Sequence, residues 1–217
     1  MATARGAPPR WLHLLAGPNG AGKSTLYRAL VREGIVGSDL EFVNADLHER
    51  AHLQHVADPQ ARSEAARAWA DGRRAALIAS GTPFASETVF SHPSKLGLIR
   101  EARAAGFTVA LHVVALDDPQ RLVGRVAQRV REGGHAVPPE RILARYPRTL
   151  ALLAEAVREA DAAYLYDGRD AEQGGPRLVA LRTAAGWVLL DPPLPAWAAR
   201  IADDAAATPP ADKDAAA

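Results

Sequence analysis

Nine residues, Gly17-Pro18-Asn19-Gly20-Ala21-Gly22-Lys23-Ser24-Thr25, restrict this chain more than any others. The spacing is G-x-x-x-x-G-K-[ST] with one more hydroxyl residue. Its glycines let successive backbone N–H groups turn inward and cradle phosphate oxygens. Lys23 is placed to reach β- and γ-phosphates, and the Ser24 hydroxyl to hold Mg²⁺. The flanks agree with the loop. Residues 11–16 are a short apolar run suited to a buried strand. Residues 22–32 have helical spacing, with Leu26, Leu30 and Val31 on one side, so phosphate would sit at a helix N-terminus. Strand, glycine loop and helix in this order point to a phosphate ligand reached at its β- and γ-phosphates.

The chain of 217 residues suits one α/β domain with a sizeable core. A formal net charge of +1 gives no global argument for a nucleic-acid partner. There is no cysteine, which removes disulfides, thiolate zinc sites and cysteine nucleophiles together. Residues 1–10 lack an apolar core of signal-peptide length. The longest apolar stretch, 107–116, is far too short to cross a bilayer. The expectation is a soluble cytoplasmic protein that does not engage a membrane. Lysine is confined to Lys23, Lys95 and Lys213, and one of these three sits in the phosphate loop, where a compact ammonium suits the task.

Strand and helix patterns alternate along the rest. Strands are expected over 41–46, 83–88, 107–116 and 162–166, with a final hairpin of 177–182 and 187–190. Helices are expected over 58–79, opened by Asp58-Pro59, then 94–105, a helix opened by Asp118-Pro119, and 138–160. From Asp203 the chain is Ala, Asp, Pro and Thr, which reads as a disordered tail over 203–217 after a single domain over 1–202. The fold class is therefore α/β: an open, mostly parallel sheet with helices on both faces, binding ligands at the carboxyl ends of its strands.

Three groups fall at such ends, and an arginine row lies on a helix beside them. Asp46 follows the second strand and can accept the proton of an attacking hydroxyl, or cap a helix beginning at Leu47. Glu87 and Thr88 end the third strand, where they can hold a substrate hydroxyl or a Mg²⁺-bound water. Arg121, Arg125 and Arg129 recur every four residues on one helix face. Such a row can neutralise charge on a transferring phosphoryl group, or it can be a solvated face. Gly133-Gly134 supplies a flexible link, and His135 beside it reads as either a phosphate contact or a loop residue. Asp167-Gly168 ends the last parallel strand, beside the expected adenine or ribose. His48-Glu49-Arg50-Ala51-His52 matches the zinc-protease pattern H-E-x-x-H. It lacks an identifiable third ligand and the Gly and later His of the extended pattern, and it reads as a chance cluster of surface histidines.

Together these pieces resemble the zeta toxin family of P-loop kinases: the loop at 17–25, Val43-Asn44-Ala45-Asp46, Ser86-Glu87-Thr88, and the run from Arg121 through Gly133-Gly134-His135-Ala136-Val137-Pro138 to Arg145-Tyr146. The resemblance covers residues 11–170. It implies a P-loop NTPase three-layer sandwich with an arginine-rich helical lid. It also implies transfer of the ATP γ-phosphate to the 3′-hydroxyl of the amino sugar in UDP-N-acetylglucosamine. Lys23 would bind phosphate, Ser24 would bind Mg²⁺, Asp46 would be the base and Glu87 would help hold the sugar. Arginines of the 121–129 helix would stabilise the transferring group. Family toxins are neutralised by a small antitoxin that blocks the ATP site, which makes such a protein the implied partner.

Two alternatives stay open in the residues. The acceptor can be an antibiotic, another sugar or a nucleoside, with loop and lid unchanged. The chain can also be a nucleotide-dependent binding switch, although it carries neither an Asn-Lys-x-Asp guanine-reading motif nor a Leu-Ser-Gly-Gly-Gln signature.

Overall fold

The computed structural model describes residues 10–132, 137–171 and 174–207. Seven strands form one sheet in the order β2-β3-β1-β4-β5-β6-β7. These are β1 (Arg10–Ala16), β2 (Glu41–Val43), β3 (Phe84–Thr88), β4 (Phe107–Ala115), β5 (Ala162–Asp167), β6 (Arg177–Thr183) and β7 (Gly186–Leu189). The first five pair parallel, and the β6–β7 hairpin adds antiparallel to β5. The helices are α1 (Lys23–Arg32), α2 (Ala45–His52), α3 (Pro59–Ser80), α4 (Ser94–Ala104), α5 (Pro119–Arg131), α6 (Pro139–Glu159) and α7 (Ala196–Ala206). This is the mostly parallel α/β sandwich that the sequence pattern predicts.

Burial explains the pattern. β4 is buried along almost its whole length, as a central strand covered on both faces must be. Alternate residues of β1 feed two cores. Leu12, Leu14 and Ala16 face the larger one, with α3, α4, α6 and α7, and Leu15 faces the smaller one with Leu26 and Leu30 of α1 and Leu122 and Val126 of α5. Asp58 and Asp118 cap α3 and α5 as expected, each accepting backbone N–H bonds ahead of a proline at the first helical turn.

Two features differ from the sequence-based expectation. β2 stops at Val43 and α2 begins at Ala45, so Asp46 lies in the first turn of a helix whose cap is Asn44. The Leu47 N–H donates to Asn44 Oδ1 at 3.1 Å, and Asp46 is not the cap. Second, Asp203–Ala206 are helical within α7, not a disordered tail. Trp197, Ala198 and Ile201 of that helix are buried in the larger core, and its free N–H groups at Ala196 and Trp197 donate to the Asp117 carboxylate. The tail from 208 lies outside the described residues. Gly133, Gly134 and His135 also lie outside them, so neither reading of His135 is tested. Among the described residues no helix is long and apolar enough to cross a membrane.

Candidate active site

The phosphate loop leaves β1 at Ala16 and enters α1 at Lys23. Gly17 has φ +147, and a Cβ there would run into the Val114 carbonyl oxygen of β4, so only glycine lets the chain turn at this point. Lys23 is buried, and its ammonium donates to the Gly17 and Pro18 carbonyls at 3.0 Å each. The side chain is thus folded back over its own loop and held at the phosphate position.

One carboxylate organises the loop from outside. Glu87 Oε2, at the end of β3, accepts from the Ser24 hydroxyl at 2.9 Å and from Asn44 Nδ2 at 2.8 Å. Its Oε1 lies 3.6 Å from Lys23 Nζ. Ser24 and Glu87 therefore present adjacent oxygen ligands beside an ammonium, a donor set that suits a hard divalent cation such as Mg²⁺. Asn44 has two duties, capping α2 with its oxygen and fixing Glu87 with its nitrogen.

Beneath Glu87 lies a buried arginine that the sequence reading passed over. Arg74 of α3 donates to Ser86 Oγ at 2.8 Å, to the Glu87 carbonyl at 3.0 Å and to Asp71 at 2.6 Å. Ser86 in turn donates to the Val43 carbonyl of β2 at 3.0 Å. Burial is the main cause that lowers the Arg74 pKa, and the Asp71 carboxylate opposes it. A signal existed: Ala66, Ala70, Arg74 and Leu77 form the buried stripe of α3, and an arginine on an apolar stripe needs partners.

Asp46 lines a cavity of about 230 Å³ together with Lys23, Glu87, Asn19, Thr88 and Arg129. Arg129 Nη1 is 3.8 Å from Asp46 Oδ2, with both side chains part-exposed. An exposed pair of this kind contributes about 0.5 kcal/mol, so a phosphate entering between them can displace it. Thr88 Oγ1 also accepts from the Phe90 N–H at 3.4 Å, where the chain takes a positive φ of 60 at a buried phenylalanine.

The other two arginines of the row turn elsewhere. Arg125 donates to the Gly168 and Arg169 carbonyls at 2.7 Å each, and Arg121 to the Arg169 carbonyl at 2.9 Å. Neither lines the cavity that Asp46 and Lys23 share. Asp167 is buried and bonded to the Arg169 N–H at 2.9 Å and to its guanidinium at 3.0 Å. Gly168 packs so closely on the phosphate loop that a Cβ would overlap the Ala21 carbonyl oxygen. The structure thus brings Lys23, Ser24, Asp46, Glu87, Thr88 and Arg129 together. It places Arg121, Arg125 and Asp167 in the support behind the loop.

The H-E-x-x-H cluster on α2 is structural. The His48 ring stacks on Trp69 of α3 with centroids 3.7 Å apart, and Glu49 pairs with Arg62 at 3.4 Å. Among the described residues no group of three or more ligating side chains could hold a metal.

A glycine loop between β1 and α1, at the carboxyl edge of a parallel sheet, defines a P-loop nucleotide-binding protein. Residues 12–153 match the family described as AAA domain, and the chain belongs to that family. The fold is also that of the zeta-toxin-like P-loop kinases, the group that the motif set resembles. The PezAT toxin–antitoxin system of Streptococcus pneumoniae is similar at 18% identity over 77% of this chain and 72% of that one, with a TM-score of 0.58. The AvrRxo1-ORF1:-ORF2 structure with ATP is similar at 20% identity over 85% of this chain, with a TM-score of 0.61. This chain spans only 61% of its length. The same complex with sulphate ions gives 19% identity, 94% and 67% coverage, and a TM-score of 0.64. These likenesses are likenesses of fold. No curated protein matches the sequence.

Proposed function

We propose that this protein is an ATP-dependent kinase that transfers the γ-phosphate to a hydroxyl, the 3′-hydroxyl of the amino sugar in UDP-N-acetylglucosamine. The observation that carries the reading is that Lys23, Asp46, Glu87 and Arg129 line one cavity. A phosphate-binding lysine and a carboxylate lining one cavity are what in-line phosphoryl transfer calls for. In this reading an Asp46 carboxylate oxygen accepts the acceptor's O–H proton as the oxygen bonds to the γ-phosphorus and the bond to the β-phosphate oxygen breaks. Lys23 and Arg129 hold the negative charge of the transferred group. Mg²⁺, bound through Ser24 with Glu87 beside it, would neutralise the phosphate oxygens. Asn44 and Arg74 keep Glu87 at the loop. Catalysis here is positioning and charge stabilisation, since the reaction needs no protein nucleophile.

An antitoxin-like partner covering the nucleotide site belongs to the same proposal. It is supported by the fold shared with PezAT, itself a toxin–antitoxin system.

The test is incubation with MgATP and UDP-N-acetylglucosamine, followed by mass spectrometry for one added phosphate. Product from the wild type, lost in Lys23→Ala and Asp46→Asn, is the expected result. ATP binding without product from any sugar nucleotide overturns the acceptor.

A further inference from the structure

The charges lining the cavity do not balance. Its walls carry seven basic side chains against four acidic ones among the described residues. Each acid is already engaged: Glu87 with Lys23 and Ser24, Asp46 with Arg129, Asp71 with Arg74 and Lys95, and Glu49 with Arg62. The surplus gathers on one wall, built from Arg67 of α3 and Arg141 and Arg145 of α6. No described carboxylate pairs with any of these three. Among the described residues Arg67 donates only to the Ser63 carbonyl of its own helix.

Two helices bring the three together. Arg141 and Arg145 are four residues apart, so their side chains rise from the same face of α6. Arg67 meets them from α3. It lies two turns, about 10 Å, along that helix from Arg74, which anchors the catalytic end of β3. Burial, followed by the like charges of Arg141, Arg67 and Arg148, lowers the Arg145 pKa. Guanidinium groups crowded without a counter-charge in a concave wall form a site for an anion with several oxygens.

We propose that Arg67, Arg141 and Arg145 form an acceptor subsite for a phosphate or diphosphate ester, separate from the donor phosphates at the P-loop. This rests on the kinase reading. It adds that the acceptor must carry its own anionic group on the far side of the hydroxyl that faces Asp46. Neutral sugars and uncharged antibiotics would then be poor acceptors.

The test fills the donor site first. Protein saturated with the non-hydrolysable analogue AMP-PNP and Mg²⁺ is titrated calorimetrically with inorganic pyrophosphate. The wild type should bind pyrophosphate. Arg67→Ala and Arg145→Ala should each weaken it at least tenfold, while Arg67→Ala leaves AMP-PNP affinity unchanged. Absence of pyrophosphate binding to the loaded wild type overturns the subsite. So does binding in both variants as tight as in the wild type, or a parallel loss of AMP-PNP affinity in Arg67→Ala, which would assign the arginine to the donor. The kinase reading fails separately: pyrophosphate binding intact but no phosphorylated UDP-N-acetylglucosamine keeps the subsite and changes the acceptor.

Discussion

The Ser24 hydroxyl donates to the Glu87 carboxylate at 2.9 Å, so the P-loop residue suited to a metal ion is held by β3, the neighbour of the strand that leads into the loop. Glu87 also stands 3.6 Å from the Lys23 ammonium. A carboxylate there competes with incoming phosphate for both groups. In EDTA, Glu87→Gln should bind ADP about three- to tenfold more tightly than the wild type, an effect of roughly 1 kcal/mol from one removed negative charge. Turnover in the presence of Mg²⁺ should fall. A fluorescent-nucleotide titration checks the first half, and unchanged or weaker ADP binding would show that Glu87 does not compete.

Asp46→Asn should keep nucleotide affinity within about twofold and lose roughly 10²–10⁴-fold in acceptor phosphorylation, the range for removing a general base. The side chain is part-exposed and does not cap α2, so the melting temperature should stay within a degree or two. Single-turnover rates with and without acceptor give the measurement. Retained phosphorylation would move the base elsewhere.

Arg74→Met should destabilise the fold by about 2 kcal/mol. Three hydrogen bonds are lost at a buried site, but Asp71 keeps Lys95 and Ser86 keeps the Val43 carbonyl, which places the effect below that of stranding a buried charge. Because Arg74 holds the Glu87 carbonyl, the same variant should lower turnover more than it raises KM. Urea unfolding together with steady-state kinetics reports both.

Much of this was legible beforehand. The P-loop, the parallel strands and the Asp-Pro helix starts are local patterns, and local chemistry decides them. Asp46, Glu87 and Lys23 converge because strand ends in a parallel sheet lie on one edge. What escaped depends on contacts distant in sequence. The cap of α7 comes from Asp117, about 80 residues away, so the end of that helix, Asp203–Ala206, reads as the start of a low-complexity tail. Arg121 and Arg125 share the face that holds Arg129, yet they sit further from its end, and the loop after β5 captures them first.

Acid should weaken the fold before carboxylates dominate. His112 of β4 is buried against His13, Tyr164 and Tyr166. Burial, then the neighbouring His13, pushes its pKa down to about 3. His13 is lowered too, by burial. The unfolded chain takes up a proton near the ordinary histidine value and the folded chain does not. Stability is therefore full above about pH 7 and falls as pH drops through 6.5, by roughly 2 kcal/mol for His112 at pH 5. Denaturant melts at pH 7 and 5 should show this loss, and His112→Phe should reduce it.

The clamp behind the P-loop distinguishes main chain from side chain. Arg121 and Arg125 grip the carbonyl oxygens of residues 168 and 169, and Gly168 rests against the Ala21 carbonyl. The grip reads the path of the peptide and not the identity of residue 169. A change at position 169 therefore gives up the ion pair with the buried Asp167 but leaves the grip on the main chain in place, whereas one methyl at position 168 does not fit at all. Two adjacent residues in one turn thus differ widely in how freely they can vary.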